Sequence, residues 1–371
     1  MAAMPDRSSR VVVGLSGGVD SAVAALLALR SGHDVHGLFM ANWDDVDAHC
    51  TVAEDFQDAR AVARELGIPL HRVSFAAQYR ERVFETFLEE HRAGRTPNPD
   101  VLCNREIKFG TCLTHARRLG GALLATGHYA RLARTGERVE LHQGIDGAKD
   151  QSYFLHAVPR AALQAAWFPI GDLVKSEVRA LARAAGLPVF DKPDSTGICF
   201  IGERPFRRFL GGYLGETPGA IETPDGERVG THRGLAFYTL GQRAGLEIGG
   251  QRGHAQAPWY VALKDAAANR LIVVQGANHE LLASRRLRAR DLNWLIDPPA
   301  PGTQLEAAAR IRHRHEPAAS VVTIHSETSL EVEFAVPQRA VTPGQYVVLY
   351  QGTRCLGGGV IESGSAPRAA L

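Results

Sequence analysis

The sequence predicts an α/β protein: a doubly wound, mostly parallel sheet followed by a small central domain and a C-terminal β-barrel. Three observations carry that expectation. Apolar β-branched runs alternate with amphipathic segments through the first half, Gly and Pro crowd between Pro205 and Gly253, and short alternating runs recur from about Arg285 onward. A chain of 371 residues exceeds what one compact core usually holds, and the changes of composition place domains at 1–210, 211–283 and 284–371.

Arg10 to Leu15 is a run fit for a buried parallel strand, and Asp20 to Arg30 is an Ala/Leu helix closed by Gly32. Val35 to Met40 reads as a strand, Ala53 to Leu66 as a helix ending at Gly67-Ile68-Pro69, and Leu70 to Phe75 as a third strand. Tyr79 to Arg92 and Glu106 to Leu119 have helical patterning, Ala122 to Thr126 is a short apolar strand, and Val174 to Ala185 is the last amphipathic helix. This alternation implies helices on both faces of an open sheet, with ligands at the carboxyl ends of its strands. In the last third, Leu305 to Ile311, Ser320 to His325, Leu330 to Phe334, Gln345 to Tyr350 and Gly358 to Glu362 have strand length and turn signals between them, as in a small barrel.

Composition narrows the class. No apolar run reaches the eighteen or so residues of a membrane helix, and the polar N-terminus lacks the basic start and apolar core of a secretory signal, so a cytoplasmic address is expected. A formal net charge of +2 excludes a uniformly basic nucleic-acid binder but allows a local patch. Five cysteines are too few for a disulfide scaffold, and without a Cys-x-x-Cys pair no tetrahedral zinc site is expected. Cys112 and Cys355 read as core thiols, and Cys50 matches no motif.

The chemistry concentrates in a few segments. Gly14-Leu15-Ser16-Gly17-Gly18-Val19-Asp20-Ser21 joins the first strand to the first helix. Its glycines let backbone amides approach an anion and the helix N-terminus adds partial positive charge, while the Gly-Lys-Ser/Thr ending of a Walker loop is missing. A plain strand-to-helix turn needs only one glycine and a cap. Thr96-Pro97-Asn98-Pro99-Asp100-Val101-Leu102-Cys103 places a carboxylate three residues before a thiol at a loop-to-helix junction, with Arg105 and Lys108 close behind to favour the thiolate. A second thiol, Cys199, lies in the Gly-containing segment Asp194 to Glu203. An inert buried cysteine is the commoner case for either one alone. His128 closes a strand, where a hydrogen-bonded structural imidazole is as good a reading as a functional one.

Ser16-Gly17-Gly18-Val19-Asp20-Ser21 resembles the pyrophosphate loop of enzymes that cleave ATP between its α and β phosphates. With the two cysteine segments, Lys149-Asp150-Gln151-Ser152-Tyr153-Phe154 and Thr342-Pro343-Gly344-Gln345, the chain from Val11 to about Glu362 resembles the bacterial tRNA-specific 2-thiouridylases of that ATP-pyrophosphatase superfamily. The resemblance implies an adenine nucleotide α-hydrolase-like first domain and a tRNA-binding barrel. It implies ATP with Mg2+, a tRNA substrate and a sulfur-donor protein, either a cysteine desulfurase or a sulfur relay protein. ATP would adenylate the C2 oxygen of the wobble uridine, a persulfide on Cys199 would deliver sulfur, and Cys103 would attack the carrier and leave a transient disulfide. Asp100 would serve as acid or base.

By the same resemblance, residues Gly14 to Ser21 with Met40 and Gly127 would hold the nucleotide. Asn98, Pro99 and Asp100 would contact the flipped uridine, and His128, Lys149, Asp150, Gln151, Arg312, His313 and Gln345 would touch tRNA. The family commonly has Tyr where this chain has His313 and often Ser where it has Ala22.

The alternating segment Arg310 to His315, read as a strand, would line its basic side chains on one face and join Arg285, Arg286, Arg288 and Arg290 in a phosphate-binding surface; a solvated barrel face is the plainer alternative. Asp100, Cys103 and Cys199 as ligands of an iron–sulfur cluster would change the sulfur donor but not the product. A small-molecule ligase of the argininosuccinate synthetase kind would need neither thiol, and a non-catalytic RNA-binding protein would need neither the loop nor the thiols.

Overall fold

A computed structural model describes residues 9–43, 52–136, 138–194, 206–249 and 257–364. Strands β1 (Arg10–Gly14), β2 (Asp34–Ala41), β3 (Leu70–Ser74) and β4 (Leu123–Ala125) come first. An antiparallel pair, β5 (Ala130–Thr135) and β6 (Arg138–Gln143), precedes β7 (Ala166–Trp167). The first sheet has the order β3-β2-β1-β4-β7, with every neighbouring pair parallel. β1 lies at its centre, and its side chains alternate between two cores, Val11 and Val13 in one and Val12 in the other. Helices α1 (Val19–Arg30) and α2 (Val52–Glu65) cover the first of these faces. The opposite face is covered by α3, continuous over 76–92, and α4, continuous over 99–118. α5 is Lys175–Ala184, and Val174 N–H ahead of it donates to Glu177 Oε2 at 2.9 Å. The chain runs outward from β1 through β2 to β3, then returns across the sheet to β4, so the crevice at the carboxyl ends of β1 and β4 is the switch point where such sheets bind ligands.

Two features of this half differ from expectation for identifiable reasons. α4 starts at Pro99, not near Glu106, because Asn98 caps it through a 3.1 Å bond from Asp100 N–H and Pro99 occupies the first helical position. It then widens into a π-helix over Cys103–Cys112, so Asp100 lies in its first turn, at the expected loop-to-helix junction, and Cys103 further along it. The β5–β6 pair has no counterpart among the expected strands. It extends the sheet of the C-terminal third through the register His142 with Arg354 and a 2.9 Å bond from Gln143 N–H to Thr353 O.

The central third forms a four-stranded sheet ordered β10-β11-β8-β9, from β8 (Gly219–Glu222), β9 (Arg228–His232), β10 (Trp259–Asp265) and β11 (Arg270–Gln275). The last third carries β12 (Ala283–Trp294), β13 (Gln304–Arg310), β14 (Ala318–Ser326), β15 (Ser329–Arg339), β16 (Tyr346–Gln351) and β17 (Arg354–Gly364). Pairing of β12 with β17 closes these six strands into a barrel around Leu287, Val322, Val332, Phe334, Val347 and Leu349. Among the described residues no helix is long and apolar enough to cross a membrane.

The basic segment is not the exposed strand expected. β13 ends at Arg310, and the following residues turn. Arg310 is buried and pairs with the buried Asp150 at 2.9 Å, joining the barrel to the first third. On β12, Arg286 and Arg288 face cross-strand Glu333 and Glu331, and Arg290 pairs with Asp291. Each of these three arginines is thus paired with a carboxylate. Arg310→Met should therefore lower the unfolding free energy by about 3 kcal/mol or more, because it strands a buried carboxylate. Arg288→Ala, in an exposed pair, should cost less than about 1 kcal/mol. Urea denaturation of both variants checks the contrast, and equal costs would contradict it.

Candidate functional site

At the carboxyl end of β1 the chain turns through Leu15 to Gly18 into α1. Gly17 has φ +82°, and a Cβ there would lie 2.4 Å from Asp55 O, so only glycine fits both the conformation and the approach of α2. Ser21 Oγ donates to Gly18 O at 2.9 Å and accepts from Ser16 N–H at 3.2 Å, which holds the turn closed around the first turn of the helix. From β4, Gly127 meets the same turn: a Cβ would lie 2.7 Å from Asp20 C and Ser21 N. A Cβ on Gly14 would lie 3.7 Å from Thr126 Cγ2 and 3.9 Å from Met40 Cε, so Gly14 and Met40 meet beside Thr126, the residue before Gly127. This is an open helix N-terminus with glycine on both sides, suited to an anion.

Charged side chains surround it. Asp20 accepts from Tyr129 Oη at 2.7 Å and from Lys175 Nζ at 2.8 and 2.9 Å. Lys175 also pairs with Asp194 at 2.7 Å, which in turn holds Lys149 at 2.7 Å and Arg179 at 3.1 Å. Burial alone would raise the Asp194 carboxyl, but hydrogen bonds from Lys149 and Lys175 hold it down to about 2. Burial, then the neighbouring Asp20, pushes the Tyr129 phenol far up, so it stays a donor. Lys192 ties the turn from beneath, donating to Gly17 O at 3.2 Å, Asp55 at 2.7 Å and Asp58 at 2.5 Å. Sequence reasoning missed Tyr129, Lys175, Lys192 and Asp55. The available signal was Lys175 itself, a cation at a helix N-terminus, where the macrodipole disfavours it unless carboxylates hold it.

The second cluster is on α4. Asp100 is half-buried, and burial raises its carboxyl despite the opposing charges of Lys108 and His313. Cys103 is 2% exposed, and Asn104 Nδ2 donates to Asp100 O at 3.0 Å. His128 bonds Thr126 Oγ1 through Nδ1 at 2.7 Å and lies 3.4 Å from Lys108 Nζ through Nε2. Burial, then Lys108, drives its pKa well down, so it is a neutral imidazole near neutral pH. The chain Gly14, Thr126, His128, Lys108 thus links the glycine turn to the helix bearing Asp100 and Cys103. Cys112 and Cys355 are free thiols pushed up to about 12 by burial, which fits core positions. Cys199 and Cys50 lie outside the described residues.

The residues expected at tRNA are held by protein partners. Asp150 is buried under Gly144 N–H, Ser152 N–H, Ser152 Oγ and Arg310. Gln151 Oε1 accepts from Tyr129 N–H at 3.1 Å, and His313 Nε2 lies 2.9 Å from Asp150 O with its ring 4.3 Å from that of Phe154. Arg312 donates through Nη2 to Leu240 O, Ala340 O and Thr342 Oγ1, at 2.9, 3.1 and 2.6 Å, so it is not the exposed strand arginine expected. Gln345 Nε2 donates to Thr96 O at 2.8 Å. Asp150, Arg312, His313 and Gln345 therefore line joints between the parts of the molecule, whereas Gln151 is held within the first part.

Comparison with known proteins gives three family matches: a tRNA methyl transferase HUP domain over residues 9–203, a tRNA methyl transferase PRC-barrel domain over 207–275 and an aminomethyltransferase β-barrel domain over 284–361. A tRNA-specific 2-thiouridylase of Alkalilimnicola ehrlichii is 55% identical over 96% of this chain and 98% of its own. That of Halorhodospira halophila is 56% identical over 97% and 95%, and that of Chromohalobacter salexigens 54% over 95% and 92%.

The Asp194 network has a pH signature. Its depressed carboxyl contributes stability that is full above the unfolded value near 4 and is lost as pH falls toward about 2. Asp194→Asn should cost about 2 kcal/mol at pH 7, with the gap to the parent narrowing as the pH is lowered through 4 to 3. Urea titrations at several pH values measure it, and a pH-independent gap would contradict the electrostatic origin.

Proposed function

Because the chain belongs to the tRNA-specific 2-thiouridylase family, we propose that its two clusters divide one reaction, activation at the glycine turn and sulfur transfer at α4. It is an enzyme of ATP-dependent tRNA uridine thiolation. A pyrimidine carbonyl oxygen leaves poorly, whereas the same oxygen bonded to the α-phosphate departs with AMP, so activation by ATP is what the substitution demands. In this reading the oxygen is O2 of the wobble uridine.

The observation that carries the proposal is the convergence of Gly17, Gly127 and the open N-terminus of α1 on one crevice, bridged by Thr126 and His128 to the helix of Asp100 and Cys103. Methyl transfer, named in the family-model descriptions, has no need of an anion cradle beside a thiol. In the proposed reaction the turn binds pyrophosphate through backbone amides, with Lys175 as the nearby cation. Asp20 and Asp194, paired here with lysines, would be the carboxylates to hold a magnesium ion that arrives with ATP. Asp100, whose carboxyl burial raises from its ordinary value, moves the uridine proton. Cys199 carries the persulfide supplied by a sulfur-donor protein, and Cys103 releases sulfur to the base. The reaction belongs in the cytoplasm, where tRNA, ATP and reduced thiols coexist.

Two variants separate the halves. Asp20→Ala should reduce AMP formation about a hundredfold or more and leave tRNA binding intact. Cys103→Ser should still release pyrophosphate in the first turnover but yield no thiouridine. Radiolabelled ATP and nucleoside analysis of the tRNA read both steps. Loss of first-turnover pyrophosphate in Cys103→Ser would place the thiol in activation and sink the division.

A further inference from the structure

The chain has five lysines, all within the described residues. Lys149, Lys175 and Lys192 are held in carboxylate ion pairs, and Lys264 donates to Gly94 O. Lys108 differs. Among the described residues no carboxylate lies within ion-pair distance of it, and its polar neighbour is the neutral, buried His128 at 3.4 Å. Arg105, on the same helix, is by contrast neutralised by Glu106 at 2.7 Å. Lys108 is itself partly buried, and Asp100, the carboxylate that feels its charge, lies beyond ion-pair distance, which leaves the ammonium open to an anionic ligand.

Its place limits what that ligand is. Lys108 sits on the π-helical stretch that begins at Cys103, and it reaches back to His128, one residue past Gly127 at the wall of the nucleotide crevice. The glycine turn and Lys175 lie at the N-terminus of α1, where the outer phosphates bind in the reading above. Through His128 and Thr126, Lys108 connects the end of β1 to the helix that carries the thiol.

We propose that Lys108 is the charge-compensating cation for the α-phosphate, holding the phosphate of the adenylated uridine and of the AMP that departs from it. This rests on the adenylation reading. In the transfer step the persulfide sulfur bonds to C2, the C2–O bond breaks and its electron pair leaves on the AMP oxygen. The attacking sulfur loses its negative charge and the phosphate goes from one negative charge to two. An ammonium fixed beside that oxygen gains interaction energy as the bond breaks, which is where a catalytic charge is most effective.

AMP isolates this contact, because it carries the α-phosphate and none of the groups that meet the glycine turn and Lys175. Calorimetric titration of the full-length protein with AMP and with adenosine, for the parent, Lys108→Met and Lys108→Arg, tests it. Lys108→Met should weaken AMP binding about tenfold to a hundredfold and leave adenosine binding unchanged, the latter also reporting an intact pocket. Lys108→Arg should retain most of the AMP affinity. Equal AMP affinity in the parent and Lys108→Met overturns the proposal and leaves the adenylation reading standing, as does an equal loss for AMP and adenosine. A parent protein that binds neither ligand overturns both.

Discussion

The arrangement depends on one close approach, that of Gly127 to the first turn of α1. With the Cβ position of Gly127 only 2.7 Å from backbone atoms of Asp20 and Ser21, the loop after β4 and the helix after β1 press against each other without a side chain between them. That contact sets the floor of the crevice at the centre of the sheet. It leaves the N-terminus of α1 open on one side and brings His128 under α4 on the other. A larger residue at 127 would force the two loops apart and separate the phosphate turn from the thiol.

A second constraint binds the crevice to the rest of the molecule. The segment just before Asn98 is stitched to the barrel by bonds from Thr96 N–H to Pro343 O and from Gln345 Nε2 to Thr96 O, at 2.9 and 2.8 Å. It meets the central sheet through Lys264 at Gly94 O, and His91 on α3 meets the turn at Ala236 O of the same central part. Gly344, at φ +89°, admits that approach, since a Cβ there would lie 2.9 Å from Thr96 N. The helix bearing Asp100 and Cys103 therefore begins at a point where all three parts of the chain meet, and Arg310 with Asp150 closes a parallel joint.

Local signals made much of this legible. A β-branched run, paired glycines and an Ala/Leu segment announced a strand, a tight turn and a helix, and the structure has all three. What escaped depends on partners distant in sequence. β5 and β6 carry a mixed polar pattern because the barrel, more than two hundred residues later, covers them at Arg354. Lys175 belongs to no motif and acquires meaning only when folding brings it to Asp20. The alternation through Arg310 to His315 suggested an exposed strand, but period alone cannot report that Asp150 buries one arginine and that Thr342 and two carbonyls take up another. The loop-to-helix junction around Asn98 was legible, but its two prolines hid how early the helix begins, at Pro99.

The central claim is that this crevice activates the uridine oxygen by joining it to the α-phosphate before sulfur arrives. Following an isotopic label in that oxygen tests it most directly. With tRNA carrying 18O at C2 of the target uridine, turnover should produce AMP bearing one labelled oxygen, detected by mass spectrometry, in equal amount to the thiouridine formed. Unlabelled AMP, or label recovered in inorganic phosphate or water, would contradict the account.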